Sequence, residues 1–320
     1  MFIKPVTIPY HLLQYDAYAR RLLPGPLKKE IEQQSRNYWA GFNGEKSLEP
    51  ALRALPDKDY WIFHDMRLSN NLYCYQMDFL ILTLAYFLIL EVKNIAGTLS
   101  LDFATHTLTR KFNGKYETYQ DPTVQSTALR HQLQDWLALH CDYLPEMPVE
   151  DLVVFSPPGT YINFFNGTPE QVQKVIRGPL LKKKILSLTE RYSERLTSAK
   201  SLKLLSQRLL SSHQPKKINL ISDGTLAASD VLSGVQCPSC GHIPMMRTHL
   251  NWHCPTCGQA SPKAYEAALN DYHLIHGSEI NNSQCRDFLK LDSGSTARYL
   301  LQSMQLKREG KTSHTKYFIN

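Results

Sequence analysis

The chain has 320 residues, enough for about two domains of ordinary size. Apolar residues make up 42% and charged residues 20%, a balance that excludes a disordered chain and suits a globular one. The longest apolar run, Phe79 to Leu90, falls short of the ~18 residues a membrane span needs, and prolines and charges break up the first residues where a signal peptide would carry its apolar core, so the expectation is a cytoplasmic protein with no membrane partner. The net charge of +7 is unevenly placed: Lys174 to Lys217 holds 12 Lys/Arg against two acids, or +10, which leaves −3 for the rest. A basic segment on a near-neutral body suits a polyanion such as nucleic acid, although a solvated helix face would look the same.

Residues 1–37, rich in Lys, Arg, Glu and Gln, read as a helical extension. Gly41 and Gly44 of GFNGEK read as a turn, after which Glu45 opens a helix with Leu48, Ala51, Leu52 and Leu55 at helical spacing. YWIFHDMRL (60–68), CYQMDFLIL (74–82) and AYFLILEVKN (85–94) have the aromatic and β-branched character of buried strands, the last two joined by a turn at Thr83–Ala85. GTLSLD (97–102) and LTRKFNGKYETY (108–119) fit a further hairpin, with Asn113-Gly114 as its turn. DPTVQSTALRHQLQDWLALH (121–140) is a helix that Asp121 can cap and Pro122 can open, with an apolar face predicted from Val124, Ala128, Leu129, Leu133, Trp136 and Leu137. DLVVFS (151–156) is another short buried strand. Helices interspersed with these strands predict an α/β core with a mixed sheet over residues 38–167. From 168 the chain turns helical and basic, with Leu181, Ile185, Leu188, Tyr192, Ala199 and Leu202 at helical steps, and residues 214–234 read as a linker that closes a 168–235 segment.

CPSCGHIPMMRTHLNWHCPTCG holds two Cys-x-x-Cys knuckles, Cys237/Cys240 and Cys254/Cys257, separated by 13 residues. Four thiolates suit tetrahedral Zn²⁺ and leave no open coordination position, so the 236–260 segment is predicted to be a structural zinc ribbon.

EVKN (91–94) ends a greasy strand with an acid, one apolar residue and a base. Glu91 and Lys93 therefore share one strand face at the edge of a core. A lone Glu-x-Lys is most often an ion pair. Here Asp78 lies on the preceding strand, which a tight hairpin would bring close to Glu91, and Glu45 lies upstream on a helix. Three converging acids and a lysine can hold Mg²⁺ or Mn²⁺ on hard oxygen ligands and activate a water.

These residues resemble the nuclease-related domain family, NERD, of the PD-(D/E)xK nuclease superfamily. GFNGEK (41–46), QMDFLIL (76–82), EVKN with Gly97, and DPTVQ (121–125) carry the resemblance over roughly residues 38–160. It implies a restriction-endonuclease-like core, with metal on Asp78 and Glu91 and catalytic roles for Asp78, Glu91, Lys93, Glu45 and Gln125 in phosphodiester cleavage. Asp121 stands where the family often has Asn, and the turn at Leu84-Ala85 lacks a common Gly; neither touches the ligand set.

Residues 261–320 read as three helical pieces and a basic hairpin, the order of a winged helix-turn-helix. Asn282 or Ser283 would cap the second helix, and Cys285, Phe288 and Leu289 would face inward. Such a module would offer Ser295, Thr296, Arg298 and Gln302 to a groove and Lys307, Arg308, Lys311 and Lys316 to phosphates. The whole predicts a metal-dependent nuclease acting most readily on DNA, with a homo-oligomer left open. A DNA-binding protein that keeps the nuclease fold without cutting is the alternative.

Overall fold

The computed structural model describes residues 1–70, 73–310 and 315–319. The chain divides into two units. One comprises Met1–Pro9 and Tyr38–Lys216, the other Tyr10–Asn37 and Lys217–Asn320.

The first unit is built on a six-stranded mixed sheet. Its members are β1 (Phe2–Lys4), β2 (Trp61–Ser69), β3 (Cys74–Leu82), β4 (Phe87–Lys93), β8 (Val149–Phe155) and β10 (Val175–Arg177), in the order β1-β2-β3-β4-β8-β10. β2, β3 and β4 run antiparallel, whereas β4–β8, β8–β10 and β1–β2 pair in parallel. A smaller sheet takes the order β7-β6-β5-β9, from β5 (Thr98–Asp102), β6 (Thr107–Phe112), β7 (Lys115–Gln120) and β9 (Tyr161–Phe165).

Helices cover both faces of the large sheet. On one side Leu129, Leu133 and Trp136 of α4 (Pro122–His140) and Leu202, Leu205 and Leu209 of α7 (Ala199–Ser212) pack on Phe63, Met77, Leu80, Phe87 and Ile89. On the other, Leu52 of α3 (Glu49–Arg53) and Leu181, Ile185 and Leu188 of α6 (Leu181–Arg191) pack on Ile62, Phe79, Ile81, Leu88 and Leu90. The short α5 (Pro169–Gln173) precedes β10. The mixed α/β architecture read from the sequence is the one the protein has.

Several local expectations need correction. Gly41 and Gly44 form no turn: both lie inside α2 (Pro26–Ser47), and Glu45 sits near the end of that helix, not at the start of a new one. Phe2–Lys4 and Val175–Arg177, expected to be helical, are three-residue strands that complete the sheet edges. On α4, Val124 and Ala128 face solvent, while Ser126 turns inward beside Leu129 because its hydroxyl donates to the buried Asp151 carboxylate at 2.7 Å.

In the second unit α1 (Tyr10–Arg21) packs against α8 (Ala264–His276). Arg21 is fully buried, with its Nε 2.9 Å from Asp271 Oδ2, its Nη1 on the Leu232 and Gly234 carbonyls and its guanidinium over the Phe288 ring. The supposed linker is not loose chain. Gln14 exchanges two hydrogen bonds with Ile218, and Leu220 and Leu226 are buried. A three-stranded sheet follows, β11 (Met246–Thr248), β12 (Asn251–His253) and β13 (Ala260–Ser261). After α8 come β14 (Glu279–Asn281), α9 (Asn282–Leu289), α10 (Gly294–Ser303), β15 (Lys307–Glu309) and β16 (Lys316–Phe318), with the strands in the order β14-β16-β15. Asn281, one residue earlier than expected, caps α9 through a reciprocal pair with Gln284. Among the described residues no helix is long and apolar enough to cross a membrane.

Candidate functional site

The site forms where β2, β3 and β4 bend together. In a regular strand alternate residues face opposite sides. On β2, however, Phe63 and Met66 enter the same core layer, and on β3 Met77 and Leu80 do likewise. The alternation breaks at Asp65, whose φ is +51°, and at Asp78 across the ladder between the His64–Phe79 and Met66–Met77 pairs. A β-region backbone would have left both aspartates in strict alternation; the break places them at one level of the sheet.

Asp78 Oδ2 accepts from the Val92 backbone N–H at 2.7 Å, which ties β3 to β4 where their own pairing stops. On β4, Phe87 and Ile89 face α4, so Glu91 and Lys93 face it too. Lys93 Nζ donates to Glu91 Oε1 at 2.6 Å and to Gln125 Oε1, on the first turns of α4, at 2.9 Å. Gln125 is held there by the helix start. Asp121 is the N-cap, its Oδ1 accepting from the Thr123 N–H and hydroxyl, and Pro122 occupies the first helical position.

Glu45 arrives from α2. A Cβ at Gly44 would stand 2.6 Å from Asn94 Cβ and 2.8 Å from Ser156 Oγ, so only glycine lets the helix lie against the end of β4. Asn94 Nδ2 donates to the Ala40 carbonyl at 2.6 Å and clasps the same contact. The Glu45 side chain then meets His64, Oε2 to Nε2 at 2.7 Å. Sequence reading had given no role to His64, Asn94 or Ser156. A histidine inside a hydrophobic strand pattern, directly before an aspartate, was the available signal for the first.

The electrostatics are those of crowded acids. Asp78 keeps a sliver of exposure, yet burial is the chief cause that pushes its carboxyl well above the usual carboxylate range, followed by repulsion from Glu91 and Glu45. Burial also raises Glu91, which is 3% exposed, against the pull of Lys93. Glu91 Oε2 is buried without a hydrogen-bond partner. Asp65 is raised by burial too, with Lys4 Nζ 3.7 Å from its Oδ2. A buried anion's unpartnered oxygen is costly, and a cation beside it would remove both the desolvation and the repulsion. The donor set is all oxygen, which suits Mg²⁺ or Mn²⁺. The carboxylates of Glu45, Asp78 and Glu91 stand farther apart than a closed ligand cluster. Among the described residues only the four cysteines bring three or more ligand atoms within 4.8 Å of one another.

Residues 40–156 match the family model of NERD, the nuclease-related domain. The matched segment runs from the last turns of α2 to Ser156, and so includes Glu45, Asp78, Glu91, Lys93 and Gln125. The NERD segment accounts for the end of α2 and the β2–β4, α4 and β8 framework; the basic helices and the second unit lie outside it. No curated protein and no solved structure gives a significant match to the chain.

In the second unit the sulfurs of Cys237 and Cys257 lie 3.6 Å apart and those of Cys240 and Cys254 3.5 Å apart. Zn–S bonds of about 2.3 Å in a tetrahedron put sulfurs about 3.8 Å apart, close to these two separations, and all four sulfurs lie within 4.8 Å of one another, so the set suits one zinc. Gly241 and Gly258, both at φ +73°, turn each knuckle so that their N–H groups donate to the Cys237 and Cys254 carbonyls at 3.0 Å. Arg298 and Gln302 on α10 are exposed, as is Tyr299 between them, which sequence reading did not single out. They line a cleft with Arg286 of α9 and Ser295. Arg308 is exposed, Lys307 pairs with Glu309 at 2.9 Å, and Lys311 lies outside the described residues.

Proposed function

We propose that the protein is a metal-dependent nuclease that hydrolyses phosphodiester bonds, with DNA as its substrate. The observation that carries this reading is the Glu91–Lys93–Gln125 chain beside Asp78 and Glu45, built around an unpartnered, buried Glu91 oxygen within the NERD segment. Asp78 and Glu91 would hold Mg²⁺ or Mn²⁺, with Glu45 completing the acidic set. The bound cation would polarise a phosphoryl oxygen and acidify a water. Lys93, steadied by Gln125, would orient the nucleophile and neutralise charge that develops on the phosphorus oxygens. Besides holding the metal, Asp78 would set the strand, because its hold on Val92 N–H fixes the residue between Glu91 and Lys93.

The four cysteines would bind one structural Zn²⁺. The order α8, β14, α9, α10, β15, β16 supports a winged-helix reading of the tail. α10 would enter the major groove with Arg298, Tyr299 and Gln302, and Arg308 would meet phosphate. The exposed lysines of α6 and α7 add positive charge toward the same polyanion. A soluble cytoplasmic role fits this assignment.

The test is incubation of pure protein with circular duplex DNA, linear duplex, single strand and RNA, with Mg²⁺, Mn²⁺ or EDTA, beside Lys93→Ala. Cleavage that needs metal and disappears in the variant supports the nuclease and names its substrate. Tight, salt-sensitive binding with no cleavage by wild type would refute it in favour of a non-cutting DNA-binding protein.

A further inference from the structure

We propose that His64 is a positioning residue for the acidic site: it fixes the Glu45 carboxylate in one orientation and leaves Oε1 as the metal-facing oxygen. This inference rests on the nuclease reading and adds to it a residue outside the acid, lysine and glutamine set.

Glu45 stands near the end of α2 on a long side chain, and a carboxylate with a free χ3 presents either oxygen. His64 removes that freedom. Its side chain is fully buried, with the Phe79 and Phe42 rings at 5.2 and 6.1 Å between centroids, so the imidazole has little room to turn. Its backbone is pinned as well. Lys4 Nζ donates to the His64 carbonyl at 2.7 Å and to the Asp65 carbonyl at 3.0 Å, the two carbonyls that flank Asp65 with its φ of +51°.

The ring's polarity follows from its two nitrogens. Nε2 lies 2.7 Å from Glu45 Oε2, whereas Nδ1 is buried with no partner. A neutral imidazole carries its proton on one nitrogen only. An N–H at Nδ1 would be a buried donor with nothing to accept it, and such orphans are rarer than under-used acceptors. The proton therefore belongs on Nε2, where it donates to the carboxylate. His64 thus occupies one lone pair of Oε2 with a directional bond and leaves Oε1 as the oxygen with both lone pairs free for a cation. Partners of this kind, one bond removed from a metal, typically change metal affinity by 10–100-fold.

Side-chain reach makes this testable. A glutamine amide nitrogen extends about as far as Nε2, but an asparagine's reaches only about as far as Nδ1. Mn²⁺ is titrated calorimetrically into the metal-free full-length chain, for wild type and for His64→Gln, His64→Asn and His64→Phe, each also combined with Glu45→Gln. Circular dichroism confirms the fold of each. The expected result is affinity preserved in His64→Gln, weakened roughly 10–100-fold in the folded Asn or Phe variant, and no further loss when either is added to Glu45→Gln. Wild-type affinity in a folded variant that lacks the Nε2 donor overturns the inference alone, and so does full additivity with Glu45→Gln. If neither Asn nor Phe folds, His64 is a fold residue and the inference fails. If wild type binds no Mn²⁺, the nuclease reading falls and takes this with it.

Discussion

Two glycines three residues apart on α2 should respond to the same substitution with opposite signs. Gly41 is exposed, and a Cβ there meets nothing within 4 Å. Gly41→Ala should therefore gain close to the helix-propensity difference, up to about 1 kcal/mol. At Gly44 the new Cβ would lie 2.6 Å from Asn94 Cβ and 2.8 Å from Ser156 Oγ. Carbon pairs rest at about 3.5–4.0 Å, so the overlap is roughly 1 Å. Asn94 Cβ is anchored to the β4 backbone and cannot swing aside, so α2 must move. Overpacking of this kind costs about 1–3 kcal/mol, which outweighs the propensity gain. Both variants share the propensity gain, so they should differ by the overpacking cost, about 1–3 kcal/mol, in urea denaturation at constant m-value. Glu45 follows Gly44 directly, and a shift of about 1 Å at a reacting centre can cost on the order of 100-fold in rate. Gly44→Ala should thus lose metal affinity or cleavage as well as stability. If it stabilises the protein as much as Gly41→Ala, the close approach of α2 to β4 is not what requires glycine, and the placement of Glu45 derived from it is wrong.

Metal analysis should find one tightly held Zn²⁺ per chain, and Cys254→Ser or strong chelation should remove it and melt the β11–β13 sheet, read by loss of amide-exchange protection around Trp252. Asp271→Ala should destabilise the second unit by about 3–5 kcal/mol in denaturant titration, because it leaves the fully buried Arg21 guanidinium uncompensated. His213 is pushed down to about 4, chiefly by burial and next by Lys4. Between that value and its ordinary value of about 6.5 the unfolded chain binds a proton that the folded one refuses. Stability should rise with pH across that window, and the slope should flatten in His213→Gln.

The parts of the site that were legible in the sequence are local. Glu91 and Lys93 alternate on one strand, Asp78 lies a hairpin's length before them, and Asp121-Pro122 announces the α4 start that carries Gln125. Their pattern depends on spacing, which sequence displays directly. The GFNG stretch misled because two glycines so close together look like a turn, and nothing local shows that Gly44 is a groove for Asn94. β1 and β10 were invisible for a related reason: three residues carry no period, and only partners on β2 and β8 make them strands. His64 was hidden by a tertiary event, the reversal of face at Asp65. The tail's helices and hairpin were readable from their apolar faces and caps, but that α1 belongs with them was not, since its partners lie far along the chain.

That separation has a consequence in time. Arg21 and Asp271 are 250 residues apart. At synthesis rates of about 5–20 residues per second, α1 leaves the ribosome roughly 12–50 s before α8 exists. Throughout that interval α1 lacks the α8 face it packs against in the finished protein, while the residues of the NERD segment emerge and can condense. A chain that stops early never acquires the cover at all. Its bare helix is a ready handle for chaperones and proteases, so truncated products carrying the intact acidic site would be the ones most readily cleared.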